Sequence, residues 1–156
     1  KPELFDFREM LCTIVISQEQ RIEAKRLDIV GLDEIQSISV TADRDLIHQV
    51  VYNLVDNAVK FADEGGSLSF KAGTDGKNLH FSIANTGKGI PENELPYVFE
   101  RFYKVDKSRS ANKNSTGLGL YIAKTIIKAH GGSISVSSRE NEVTSFSVTL
   151  PLERNR

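Results

Sequence analysis

Hydrophobic positions along the chain follow two periods. Ile47, Val50, Val51, Leu54, Val55 and Ala58 recur at i, i+3, i+4, i+7, i+8 and i+11, the apolar stripe of an amphipathic helix. This predicts a helix that carries His48 to Ala62, with Asp43 or Asp45 as its N-cap. Leu118 to His130 repeats the period and stops at Gly131-Gly132. Phe7 to Lys25 holds a third helical pattern through Leu11, Ile14, Val15 and Ile22. Elsewhere the period is two. "SLSFKAGT" (67–74) and "NLHFSIANT" (78–86) alternate around "DGKN", a hairpin signature. "SISVSS" (133–138) and "TSFSVTLPL" (144–152) predict a closing hairpin across "RENEV". "RLDIVGL" (26–32) and "QSISVTA" (36–42) read as two more strands around an acidic turn. Between Gly87 and Ser115 the pattern is loop-like, with a short helix over 92–99. Helices and hairpins in separate runs predict an α+β two-layer sandwich, not a doubly wound sheet.

Composition narrows the class. The chain has 156 residues, which fits one domain, and about two-thirds of its extended surface can be buried at this size. Hydrophobic residues at 39% and charged residues at 26% are the balance of a soluble globular protein. The formal net charge of -1 lacks the basic excess of a nucleic-acid reader. Cys12 is the only cysteine, which excludes a disulfide framework and a cysteine-based zinc site. Inside the apolar run 11–16 it reads as a buried small hydrophobe. No apolar stretch approaches the roughly 20 residues that span a bilayer. No signal peptide opens the chain. It starts abruptly at Lys1-Pro2, as a fragment of something larger would.

Three segments carry candidate chemistry. On the helix 48–62, Gln49, Asn53, Asn57 and Lys60 form a polar stripe beside the apolar one. Asparagine is a poor helix former because its side chain competes for backbone groups, so two on one face need a reason. Asn57 can offer an amide oxygen to a hard cation such as Mg²⁺. Lys60 can place a point charge near a phosphate. A solvated helix face explains the stripe equally well when it is read alone.

"NTGKGIP" (85–91) follows a predicted strand, and its glycines Gly87 and Gly89 allow close backbone approach or positive φ, as turns also require. "STGLGLYIAK" (115–124) places Gly117 and Gly119 at the start of a helix, where orphan N–H groups and the helix dipole favour an anion. A flexible hinge is the other reading, although two glycines in a first turn weaken a helix. Between these loops, Arg101, Lys104, Lys107, Arg109 and Lys113 face one acid, Asp106. An anionic ligand would explain this excess, and so would a solvated loop. Its length and polarity predict a mobile lid over 101–116.

Other phosphate motifs fail on spacing: neither a P-loop nor a dinucleotide fingerprint is present. No nucleophile triad can be read. His48 on the outer side of its helix, His80 in a strand and His130 near a helix C-terminus take structural readings, the last where positive charge is favoured.

The asparagine helix, the glycine loop after a strand, "VFERFYKVD" and "STGLGL" come in that order. Over roughly 42–152 the chain closely resembles the catalytic and ATP-binding domain of bacterial sensor histidine kinases. These belong to the GHKL superfamily, with gyrase, heat-shock chaperone and mismatch-repair ATPases. The resemblance implies a two-layer α/β sandwich of Bergerat type, a mixed sheet covered on one face by helices, with ATP under a flexible lid. By that likeness Asn57 ligates Mg²⁺, Asn53 assists near the phosphates, and Lys60 contacts them. Phe61 takes the place of an aromatic flanking the nucleotide. Phe99 and Phe102 belong to the segment that anchors the lid, and Lys104 stands where a basic residue meets phosphate. Asn53, Lys60 and Lys104 are then the residues that serve transfer. Gly117, Leu118 and Gly119 present backbone to the triphosphate, and Thr116, Leu120, Gly87, Gly89 and Ile90 are counted with them among the nucleotide-binding residues.

Two positions depart from the family pattern. Asn85 stands where Asp usually reads adenine. Its amide oxygen can still accept from the adenine amino group, without the strength of a charge-assisted bond. Ser115 stands where a glycine often opens the last loop.

The implied activity is phosphoryl transfer from Mg·ATP to a histidine on a dimerisation and phosphoacceptor helix domain that this sequence does not contain. A response regulator is an indirect partner, and ATP implies the cytoplasmic part of a membrane-anchored sensor. No nucleic acid or membrane contact is expected of this fragment. Three rivals stand beside this reading: an ATP hydrolase, a serine kinase of the anti-sigma type, and a nucleotide-sensing or docking module without catalysis. In the first two, a glutamate one turn before the metal asparagine activates the nucleophile. Asn53 holds that place here and cannot act as a general base.

Overall fold

A computed structural model describes residues 1–103 and 118–153. The elements run β1 (Glu3–Asp6), α1 (Phe7–Ser17), α2 (Glu19–Ala24), β2 (Asp28–Val30), β3 (Ser39–Ala42), α3 (Arg44–Phe61), β4 (Ser67–Thr74), β5 (Asn78–Thr86), α4 (Gly119–Ala129), β6 (Ser133–Arg139) and β7 (Val143–Pro151). Five strands form one sheet in the order β2-β4-β5-β7-β6. β2 pairs parallel to β4, and every other pair in the sheet is antiparallel. The class is α+β, as the sequence pattern predicts, and the sheet is mixed, as the resemblance implies.

Alternation along the strands makes the two layers. Leu68 and Phe70 of β4, Leu79, Phe81 and Ile83 of β5, and Phe146, Val148 and Leu150 of β7 are buried in one core. Against them pack Leu11 and Ile14 of α1, the stripe Ile47, Val50, Val51, Leu54, Val55, Ala58 and Val59 of α3, and Ala123, Ile126 and Ile127 of α4. Phe7 meets Phe81 edge-on at 5.1 Å between ring centroids, a favoured aromatic geometry. Among the described residues no helix is long and apolar enough to cross a membrane.

The structure corrects or refines the sequence reading in five places. The predicted helix 7–25 is broken at Gln18. The Ser17 hydroxyl donates to the Ile14 carbonyl at 2.5 Å, while Gln18 N–H turns to Val15 O at 3.0 Å, a side chain competing with the helical ladder. β2 and β3 do not pair with each other: β3 joins β1, a strand that the periodicity missed, in a separate two-stranded sheet. The short helix at 92–97 is 3₁₀, with Pro96 inside it; proline removes a donor and blocks an α-helical turn. Cys12 is half-buried, because it flanks the stripe of Leu11, Ile14 and Val15 and does not lie on it. His130 is buried at the end of α4 with its Nδ1 against Ile126 O at 2.8 Å and, among the described residues, no partner for Nε2, so the ring points inward and does not present its tip to solvent.

Candidate functional site

Helix α3 forms one wall. Asp43 caps its start, accepting from Leu46 N–H at 3.1 Å, and this hydrogen bond holds the Asp43 carboxyl below its usual pKa. Its apolar stripe locks onto the sheet, so the neighbouring stripe is held at the border of the core. Asn53, Asn57 and Lys60 are half-buried there, and Gln49 and Phe61 are exposed. Asn57 makes no hydrogen bond among the described residues, so its amide remains available.

Helix α4 forms the facing wall. Asn53 Nδ2 donates to Gly119 O at 3.1 Å. A Cβ on Gly119 would stand 3.8 Å from the Asn53 side chain and clash with nothing among the described residues. Packing therefore does not require glycine here; close approach by a ligand would. Leu118 at the N-cap cannot supply a capping oxygen, and the first turn of α4 contains no acid. Both features suit an anion at the helix start. Leu118 and Leu120 are half-buried beside Gly119.

The end of β5 closes a third side. Asn85 is buried, 3% exposed, with Nδ2 donating to Thr86 O at 3.3 Å. That bond uses the amide's donor side and leaves Oδ1 to accept. Gly87 has a local reason to be glycine: a Cβ would come within 2.6 Å of Phe61 O and 3.4 Å of Asn85 Nδ2. Phe61, Asn85 and Gly87 thus meet where α3 ends. Gly89 differs. Its φ is +71° and a Cβ would strike Arg139 O at 2.5 Å, so its freedom serves packing on the β6–β7 turn. Ile90 is buried with its N–H on Ser138 Oγ at 2.8 Å, and Ser138 Oγ also bonds Val143 O and Thr144 Oγ1. Sequence reasoning missed this Ser138–Thr144 support; no local signal marks two polar residues among many in alternating strands.

Lys60 lies on the expected stripe, yet its ammonium is 3.7 Å from Asp56 Oδ2, and Arg21 Nη1 holds the other oxygen of Asp56 at 2.7 Å. Arg21, Lys25, Tyr52, Asp56 and Lys60 line a cleft of about 660 Å³ between α2 and α3. A second cleft of about 350 Å³ lies between Phe99, Arg101, Tyr121 and Lys124. There Arg101 stacks 4.8 Å over the Tyr121 ring and donates to its hydroxyl at 2.9 Å, which lowers the Tyr121 pKa. Phe99 packs edge-on against Phe146 at 5.9 Å, and Tyr103 Oη donates to Glu94 at 2.7 Å. Burial, and then Glu94, push the Tyr103 pKa well up. These contacts fasten the segment before residue 104. Phe102 is exposed with φ +65°, an uncommon conformation for a bulky residue. Lys104, Thr116, Gly117 and nearly all of the predicted lid 101–116 lie outside the described residues.

Residues 42–154 match the family model described as histidine kinase-, DNA gyrase B-, and HSP90-like ATPase. The chain belongs to this ATPase family. Among relatives, it is 34% identical over 146 residues to sensor histidine kinase WalK of Bacillus subtilis, covering 92% of this chain and 24% of that protein. The chain therefore spans about a quarter of that relative's length. Among solved structures, the nucleotide-free catalytic domain of histidine kinase ThkA superposes with a TM-score of 0.82 at 29% identity, covering 99% of this chain and 97% of that one. ThkA in complex with response regulator protein TrrA is also similar, with a TM-score of 0.78 at 28% identity over 97% of this chain and 42% of that one. The fold of this ATPase-family chain, a mixed sheet with helices on one face, matches these histidine kinase catalytic domains.

Proposed function

We propose that this chain binds Mg·ATP between α3 and the start of α4 and donates the γ-phosphoryl group to a histidine on a helical phosphoacceptor domain. One observation carries the reading: Asn53 reaches Gly119 at 3.1 Å, which joins the asparagine wall and the glycine-led helix at one place. In transfer, the bond between Pγ and the bridging oxygen breaks, a bond from Pγ to an imidazole nitrogen forms, and ADP leaves as that nitrogen loses its proton. Such chemistry rests on positioning and on neutralising charge.

The residues present suit that task. Asn57 offers a free amide oxygen as a ligand for Mg²⁺, which neutralises charge on the phosphates when bound. Gly119, with Gly117 before it in sequence, offers backbone N–H groups to the phosphate chain. Lys60 and Lys104 supply cations. Asn85 Oδ1 accepts from the adenine amino group, and Phe61 flanks the ring. The whole protein then acts in a two-component pathway on the cytoplasmic side, with a response regulator as the next acceptor. Asn53 favours this over hydrolysis, because an amide cannot take a proton from water.

Mixing this chain with a phosphoacceptor segment and γ-labelled ATP tests the reading. Label on the acceptor histidine is expected. Label released only as inorganic phosphate would install the hydrolase reading, and failure to bind ATP would install the docking module.

A further inference from the structure

Helix α2 contributes no residue to the nucleotide reading, yet its end is fastened to the last turn of α3. Lys25, the residue that caps α2, donates from Nζ to the carbonyl oxygens of Val59 at 2.8 Å, Lys60 at 2.9 Å and Ala62 at 2.8 Å. Carbonyls at a helix C-terminus have no partner within the helix. An ammonium has three protons, and here all three go to one helix end. The Lys25 backbone is tied as well: its carbonyl accepts from Gly65 N–H at 2.7 Å and its N–H donates to Arg21 O at 3.1 Å. Burial lowers the Lys25 pKa, so the ammonium is drawn partly out of water to make these contacts.

The far side of the same turn meets the adenine end of the site. Phe61 O lies against Gly87, and Asp63 N–H donates to Thr86 O at 3.0 Å. The last turn of α3 is thus held between the Lys25 ammonium and the end of β5, where Asn85 sits. Removing the ammonium would strand three carbonyls and free the turn that carries Lys60 and Phe61.

We propose that Lys25 is a positioning residue for nucleotide binding, clamping the C-terminal turn of α3 so that Lys60 and Phe61 are presented beside Asn85. The proposal rests on the Mg·ATP reading above and assigns a residue outside that site to its upkeep. An ordinary helix cap would change stability alone, so the two roles separate in affinity.

Lys25→Met keeps the apolar stem and removes the donors. Mg·ATP affinity is measured by calorimetry at a temperature where circular dichroism shows every variant folded. Lys25→Met is expected to bind about tenfold more weakly, by analogy with the loss when the outer partner of a metal-ligating residue is removed. Val15→Ala, a core truncation in α1, serves as the stability control and is expected to leave affinity unchanged. Wild-type affinity in Lys25→Met would overturn the proposal, and so would an equal loss in Val15→Ala. Should Lys25→Met fail to fold, Lys25→Gln, which can make at most two of the three hydrogen bonds, takes its place; it is expected to bind more weakly than wild type but by less than about tenfold, and wild-type affinity there would overturn the proposal. Absence of ATP binding by the wild type would instead remove the reading beneath, and the proposal with it.

Discussion

Asn53 Nδ2 and Gly119 O are 3.1 Å apart although 66 positions separate the two residues in sequence. The bond crosses from the middle of α3 to the first residue of α4. It brings together an amide-bearing helix face and a helix start with no acid in its first turn, two features that carry little weight apart.

Gly119→Ala probes that space. The added Cβ meets Asn53 at ordinary contact distance, so the fold tolerates it. Alanine is the better helix former by up to about 1 kcal/mol, so thermal stability is expected to hold or rise. Nucleotide affinity is expected to fall, because the methyl stands where phosphate would approach. A thermal melt paired with calorimetry reads both, and undiminished ATP affinity would take Gly119 out of the site.

Asn57→Ala removes an amide that has no hydrogen bond among the described residues. Stability is expected to stay the same or rise slightly. Binding of ATP in the presence of Mg²⁺ is expected to fall to the level measured with chelator. Calorimetry with and without the metal checks this; a metal-dependent gain that persists in the variant would leave Asn57 with no role as ligand.

Asn85 tests base selection. With Nδ2 on Thr86 O, Oδ1 would accept from an adenine amino group and repel a guanine carbonyl. Wild type is expected to prefer ATP over GTP in parallel titrations, and Asn85→Ala to lose most of that preference. Equal binding of both nucleotides by the wild type would refute the assignment.

Acid stability gives a prediction away from the site. Asp75 is held well below its ordinary pKa of 3.8, first by the hydrogen bond to His80 and then by the N–H groups of Asn78 and Lys77. A carboxyl depressed in the folded state stabilises the protein above the unfolded pKa, and that contribution fades as pH falls through the folded value. The difference in melting temperature between wild type and Asp75→Asn is expected to shrink as pH falls from about 5 to below 3.8. A difference that does not change with pH would show that the Asp75 charge contributes nothing.

The sequence by itself determined what depends on neighbours within a few residues. The stripe of Ile47, Val50, Val51, Leu54, Val55 and Ala58 dictated α3 and, beside it, the placement of Asn53 and Asn57. Alternation dictated the two hairpins, and glycines marked both loops. Each is a property of one segment's period and survives whatever packs against it. Tertiary structure decided the choice of partners. β1 is four residues long and exists because β3 pairs with it. β2 left its neighbour for β4. The Lys60 ammonium was drawn toward Asp56, and Gly89 was claimed by the turn after β6. Lys25 reached across to cap a helix that begins 19 residues later in sequence. Pairing edges, ion contacts and caps depend on which distant groups arrive within 3 or 4 Å, and no local period encodes that distance.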